Sequence, residues 1–148
     1  MVLELKYYWD YIANVALLEE ELWETKNKVL EYIDNLNNLL CNPSYHILIY
    51  LKDDKVVGFV KYIIRHGYNE KYSEEPVIHI DGLFVSKNYR NQDIATELMK
   101  EVENDAREMN IKKIVSCYSS NNTNSTKLHD KLGFNEYGKI IQVIKELD

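Results

Sequence analysis

The sequence predicts a single-domain α/β (α+β) protein with elements in the order β-α-α-β-β-β-α-β-α-β(-β). Three observations predict it. The first forty residues contain neither glycine nor proline and carry apolar stripes at helical spacing. Residues 45–85 hold three apolar runs of β type, the first two separated by Asp53-Asp54. From Ile94 the helical period returns, and a strand-like run, a loop of turn formers and a short helical segment follow it.

Val2 to Tyr8 alternates, with Leu3, Leu5 and Tyr7 on one side and Glu4 and Lys6 on the other, which suits a short first strand. Trp9 to Leu40 is too long for one helix of a small domain. It divides into a stripe of Ile12, Val15, Ala16 and Leu22 and a second of Val29, Ile33, Leu36 and Leu40, with a break near Glu24 to Asn27. Asn42-Pro43-Ser44 ends the helical region, because the residue before a proline is biased away from helix. Tyr45–Lys52 and Lys55–Arg65 read as a hairpin across Asp53-Asp54. The polar stretch Gly67 to Pro76, with Glu70, Glu74 and Glu75, is a loop, and Val77–Val85 is the next strand. Ile94, Leu98, Val102, Ala106 and Met109 predict a helix from about Asp93 to Asn110. Lys113–Tyr118 is a strand, and Ser125–Leu132 a short helix closed by Gly133. Phe134–Leu147 reads as one or two short strands bent near Gly138.

Bulk properties narrow the function. A chain of 148 residues, 45% of them apolar, can bury a real core and is one domain by length. No apolar run approaches the roughly 18 residues that span a bilayer, and Met1 to Lys6 does not begin a secretory signal, so the chain reads as cytoplasmic and without a membrane partner. Cys41 and Cys117 read as buried free thiols, and the four histidines show no metal-ligand spacing with them, so no metal is expected. The net charge of −6 argues against nucleic acid and permits a cationic partner such as an amine.

Chemistry concentrates in two stretches. In the first, the apolar run Leu83-Phe84-Val85 enters a polar turn with Arg90 that opens into a helix. A strand feeding a helix in this way leaves backbone N–H groups unpaired at the positive end of the helix dipole, which is a cradle for phosphate. In the second, residues 122–134 read Asn-Thr-Asn-Ser-Thr-Lys-Leu-His-Asp-Lys-Leu-Gly-Phe.

Together these resemble the GNAT superfamily of N-acetyltransferases. That family shows an apolar strand, then Arg/Gln-x-x-Gly-x-Gly/Ala. Here the six positions are Arg90, Asn91, Gln92, Asp93, Ile94 and Ala95, and five are compatible. Asp93 stands where the family usually has glycine. It is either a left-handed residue, which Asp tolerates better than most, or a first-turn residue favoured by the helix dipole. A carboxylate ~4 Å from a phosphate costs about 1 kcal/mol in water-like surroundings, so the side chain is expected to point to solvent. The second stretch is similar to the family's Asn-x-x-Ala/Ser-x-x-Leu-Tyr/His-x-x-Leu-Gly-Phe, with Asn122, Ser125, His129 and Gly133 in place.

The resemblance implies a mixed, mostly antiparallel sheet flanked by helices and acetyl-CoA as co-substrate. It implies that the backbones of Leu83, Phe84 and Val85 pair with the pantetheine arm. The N–H groups of Gln92, Asp93, Ile94, Ala95 and Thr96, with Arg90 and Asn91 beside them, would then take the pyrophosphate. Asn122 and Ser125 would meet the pantetheine arm or order their loop. His129, at a position where the family often has tyrosine, would protonate the leaving thiolate. The amine acceptor arrives protonated and needs a base. Asp81 and His79 share a strand face by period two, and either can serve; Asp81 also fits a strand bulge beside Gly82. The function implied is acetyl transfer to a primary amine, that of a small cationic molecule, by direct transfer in a ternary complex. A protein or peptide N-acetyltransferase and a CoA-binding module with little catalysis are the alternatives. Dimers are common in the family, so a homodimer is among the expected partners.

Overall fold

The computed structural model describes residues 1–67 and 75–148. The chain forms two compact units, Met1–Cys117 and Tyr118–Asp148.

In the first unit, strands β1 (Val2–Glu4), β2 (Tyr45–Lys52), β3 (Lys55–Arg65), β4 (Val77–Val85) and β5 (Ile114–Val115) form one sheet in sequence order. The first four are antiparallel neighbours, and β5 runs parallel to β4. Helices α1 (Ile12–Trp23) and α2 (Val29–Leu40) precede β2, and α3 (Ile94–Glu108) lies between β4 and β5. The mixed, mostly antiparallel sheet with helices is the predicted fold class. The β2–β3 hairpin turns on Asp53 and Asp54 at φ 52° and 61°, the left-handed pair that suits a two-residue hairpin and that Asp accepts. Glu24 and Asn27, at φ 52° and 60°, make the break between α1 and α2.

The two sheet faces explain the near-continuous apolar runs of β2 and β3, which are buried on both sides. On one face Tyr45, Ile47, Ile49, Phe59 and Phe84 pack with Leu5, Val15, Ala16 and Leu36 from the N-terminal segment and α1/α2. On the other, Leu48, Val60, Tyr62 and Ile78 lie toward α3, whose Ile94, Leu98, Met99 and Val102 are buried. A polar cluster sits on that second face. The Tyr62 hydroxyl donates to Asp105 at 2.7 Å, His46 stacks on Tyr62 at 4.9 Å, and His46 Nδ1 meets Glu4 at 2.5 Å.

The sequence reading is corrected in four places. β1 ends at Glu4 because its pairing with β2 stops there; Leu5–Tyr7 is a 3₁₀ turn that drives Leu5 into the core and leaves Tyr7 exposed. β5 is two residues rather than six, since β4 is matched to it only at Ile78 and His79. Among the described residues, 134–148 hold no strand, since an extended apolar segment becomes one only beside a partner ladder. Cys41 and Cys117 are free but exposed, because both lie past the end of the element expected to bury them. Among the described residues no helix is long and apolar enough to cross a membrane.

Candidate active site

β4 carries a bulge. Its register against β3 runs Tyr62↔Ile80 and then Lys61↔Gly82, so Asp81 is the extra residue. A bulge re-aims the side chain that it carries and switches the alternation beyond it. His79, opposite Ile63 and in line with Tyr45, faces α1 and α2. Phe84 reaches the same face from an even position. Asp81 turns toward this face as well, because its Oδ2 accepts a 2.5 Å hydrogen bond from the Tyr45 hydroxyl. Asp81, the bulged residue, is exposed in a strand whose Ile80 and Phe84 are buried.

The charges around Asp81 are specific. Lys61, half-buried on β3, is ion-paired with Glu19 of α1, which is 2% exposed. Burial pushes the Lys61 ammonium below its ordinary value, and the Asp81 carboxylate pushes it back up. Burial first, then the Asp81 hydrogen bond and charge, raise the Tyr45 phenol far above its ordinary value, so it stays a donor. His79 is lowered by burial and by Arg65, against Asp81, and so favours the neutral imidazole.

Within the first unit the outer edge of β4 is paired only at Ile78 and His79. From Ile80 to Val85, which includes Leu83, Phe84 and Val85, the strand pairs on its β3 side alone among the described residues. An unpaired edge presents backbone donors and acceptors to an extended ligand. Gly58 lies opposite Val85, and a Cβ there would stand 3.0 Å from the Phe84 carbonyl oxygen and 3.4 Å from Ile94 Cγ2. Only glycine lets β3, β4 and the start of α3 approach so closely.

The turn beyond β4 is held from three sides. Ser86 N–H donates to the Val57 carbonyl at 2.8 Å. The Glu21 carboxylate accepts from Ser86 Oγ at 2.9 Å and from Lys87 N–H at 3.0 Å. Arg90 folds back, with Nε donating to the Val85 carbonyl at 2.9 Å and the guanidinium 5.5 Å from the Phe84 ring centre. Its observed task is to shape the turn. Asn91 and Asp93 are left-handed, at φ 61° and 60°. This answers the question of the missing glycine: the position needs a positive φ, and Asp93 supplies it as the residue that caps α3. Asp93 is exposed, and its carbonyl accepts the Glu97 N–H at 2.9 Å. The first-turn N–H groups, Ile94, Ala95 and Thr96, have no carbonyl partner inside a helix. The Gln92 side chain accepts from Lys52 at 2.5 Å, which brings to this turn a cation that the motif did not reveal.

In the second unit, α4 (Thr123–Lys131) is capped at both ends. Asn122 Oδ1 accepts the Ser125 N–H at 3.0 Å. Gly133, at φ 85°, donates to Asp130, and Phe134 N–H donates to the His129 carbonyl at 2.9 Å, which is a Schellman closure. His129 Nδ1 lies 2.7 Å from the Ser125 carbonyl, so Nδ1 carries the proton. Its ring packs against Tyr118 at 4.5 Å and Phe134 at 5.0 Å. Asn122 and Ser125 thus orient His129 through the helix cap.

Two surface hollows lie elsewhere, one beside Tyr8 and Asp53-Asp54 and one beside Tyr50 and Glu97, and include none of the predicted site residues. Glu70 and Glu74 of the expected acceptor loop lie outside the described residues. Tyr45, Lys61, Glu19 and Glu21 were missed by sequence reasoning. Their only sequence signal is polarity inside otherwise apolar stripes.

A family model described as the acetyltransferase (GNAT) family matches residues 9–134. The chain belongs to that family. Among relatives of this GNAT chain, the aminoglycoside N(6')-acetyltransferase type 1 of Salmonella typhimurium is 31% identical over 93 residues, 63% of this chain. The match spans 64% of that protein's length. The enzyme of the same name from Acinetobacter genomosp. 13 is 25% identical over 92% of both chains. Two solved structures share the fold. AAC(6')-Iy in complex with a bisubstrate analog has a TM-score of 0.85 at 24% identity, covering 99% of this chain and 98% of that one. The metagenomic aminoglycoside acetyltransferase meta-AAC0020 in complex with sisomicin has a TM-score of 0.78 at 19% identity, covering 100% and 95%. The family is one of acetyltransferases, whose acyl donor is acetyl-CoA. The half-paired edge of β4, the close approach at Gly58 and the two left-handed residues before α3 fit that ligand.

Proposed function

We propose that this chain, as one N-acetyltransferase domain, transfers the acetyl group of acetyl-CoA to a primary amine of a small cationic acceptor of the aminoglycoside class, within a ternary complex. The observation that carries the reading is the exposed Asp81 carboxylate, bulged out of β4 beside the half-paired strand edge. The acidic balance of the chain, −6, favours a polycation. The names of the relatives supply the acceptor class.

In this reading the pantetheine arm adds to the edge of β4 and the pyrophosphate meets the first-turn N–H groups of α3. Asp81 anchors the acceptor's ammonium and takes its proton, directly or through water. The amine nitrogen then attacks the thioester carbonyl carbon, the nitrogen gives up its second proton to water, and the C–S bond breaks. The thiolate takes a proton from His129. Because Nδ1 is committed to the Ser125 carbonyl, Nε2 donates only from the doubly protonated ring. No cysteine nucleophile takes part.

The test has two stages. Acetyl-CoA at about 1 mM is expected to raise the melting temperature, as a ligand of the folded state does. Thiol release is then followed with sisomicin, spermidine and short peptides as acceptors. Turnover with sisomicin and its loss in Asp81→Asn are the expected results. No thermal shift would leave no acetyl-CoA enzyme, and turnover with peptides alone would replace the aminoglycoside class by a peptide amine.

A further inference from the structure

Asp81 sits in an arrangement of charges that its role as acceptor anchor does not by itself require. Three further groups stand in a chain from it: Tyr45 of β2 donates to it, Lys61 of β3 lies opposite the adjacent Gly82, and Glu19 of α1 pairs with Lys61. We propose that Tyr45, Lys61 and Glu19 are positioning residues that hold Asp81 as an available net negative charge for the cationic acceptor, with Glu19 occupying Lys61 and Tyr45 fixing one carboxylate oxygen. This rests on the reading of Asp81 as the acceptor's anchor and base.

The charge count is the core of it. Lys61, half-buried, lies opposite Gly82, the residue that follows Asp81. With no other anion beside it, it would take the carboxylate as its ion-pair partner, and the site would be neutral toward an ammonium. Glu19 removes that outcome. It is the only buried charged residue among those described, and its carboxylate is spent on Lys61. Glu19, Lys61 and Asp81 therefore sum to one negative charge, and the exposed member is Asp81. A buried acid is costly unless paired, so a carboxylate at this depth of α1 needs Lys61 as much as Lys61 needs it.

Tyr45 supplies direction. Its hydroxyl donates to Asp81 Oδ2 at 2.5 Å, which leaves Oδ1 to face an acceptor. The phenol is anchored by the core, since Tyr45 is 5% exposed and lies within the β2–β3–β4 ladder. A carboxylate on a bulge has more freedom than one in a regular strand, and a rigid donor restores a single orientation.

The experiment compares Asp81→Asn, Tyr45→Phe, Glu19→Gln and the double variant Glu19→Gln/Lys61→Met. It measures kcat, KM for sisomicin, KM for acetyl-CoA, and melting temperature. Tyr45→Phe keeps the ring and removes one hydrogen bond to a charged group, so kcat/KM for sisomicin should fall about tenfold or more, with KM for acetyl-CoA within about twofold. Glu19→Gln frees Lys61 for Asp81 and should raise KM for sisomicin about tenfold. Removing Lys61 as well should bring most of that loss back. A merely structural ion pair would lower the melting temperature and change both substrates alike. If Glu19→Gln fails to fold, the double variant still decides, since it must keep KM for sisomicin near the parent's. Full activity in Tyr45→Phe and Glu19→Gln, with Asp81→Asn inactive, would overturn the positioning role and leave Asp81 standing. Full activity in Asp81→Asn would overturn both.

Discussion

Asp93 is the place where a substitution separates backbone chemistry from charge. The residue occupies φ 60°, ψ 17° at the start of α3 and is exposed. Asp93→Ala keeps the position but removes the side chain that tolerates it. A left-handed non-glycine residue costs roughly 1–2 kcal/mol, and for a chain of this size each kcal/mol lowers Tm by about 2–4 °C. Asp93→Ala should therefore melt about 2–8 °C below the parent, and Asp93→Asn, which shares the left-handed tolerance, close to it. Charge gives a different answer. A carboxylate ~4 Å from a phosphate in water-like surroundings is worth about 1 kcal/mol, or roughly fivefold in affinity. One turned to solvent ~8 Å away is worth about half that, and salt screens it further. The exposed Asp93 implies the second case. Calorimetric titration of acetyl-CoA should give Asp93→Asn a dissociation constant within about threefold of the parent's, nearly independent of salt. A tightening of tenfold or more that fades as salt is added would refute the solvent-facing carboxylate and mean that the charge meets the phosphates.

Three further outcomes follow from particular contacts. Gly58→Ala pushes a Cβ to 3.0 Å from a backbone oxygen of β4, an overpacking that costs about 1–3 kcal/mol; Tm should fall and acetyl-CoA should bind more weakly, and a parent-like Tm would show that β4 yields freely. His129→Phe keeps the ring packing against Tyr118 and Phe134 and removes the proton; kcat should drop at least tenfold more than acetyl-CoA affinity does, and unchanged kcat would take His129 out of the reaction. Burial raises the Glu4 carboxyl, but the His46 hydrogen bond and the charges of His46 and Lys6 outweigh it and hold the group below its ordinary value of 4.5. A carboxyl held low contributes stability above its unfolded value and loses it as pH falls through the folded one. Burial holds Asp105 up, with the opposite sign. Melting curves taken down from pH 5 should therefore fall less steeply for Glu4→Gln than for the parent, and parallel slopes would exclude the Glu4–His46 pair as an acid-labile element.

Much of the site was legible because its signals are local. β2, β3 and β4 coincide with the apolar runs read from the sequence, since a strand buried on both faces must be apolar throughout. The caps of α4 were legible from Gly133, which sits where only a positive φ closes the helix. Asp93 was legible as one of two alternatives, and its backbone chose the left-handed one. The short strands were not legible. Propensity for β structure in residues 113–118 and 134–147 says nothing of whether a partner ladder stands alongside.

The order of elements as far as α4, the turn before α3 and the family were legible from residues near one another in the chain, whose periods and turn chemistry operate over a few residues. The register was not. That Asp81 is the extra residue of β4 depends on how eleven residues of β3 align with nine of β4. That Tyr45 and Lys61 flank it, with Glu19 buried behind, depends on three elements meeting on one sheet face. Long-range contacts of this kind leave no periodic trace, because each needs only one polar residue in an apolar stripe. Packing alone decides which carboxylate is exposed and which is spent on holding a lysine in place.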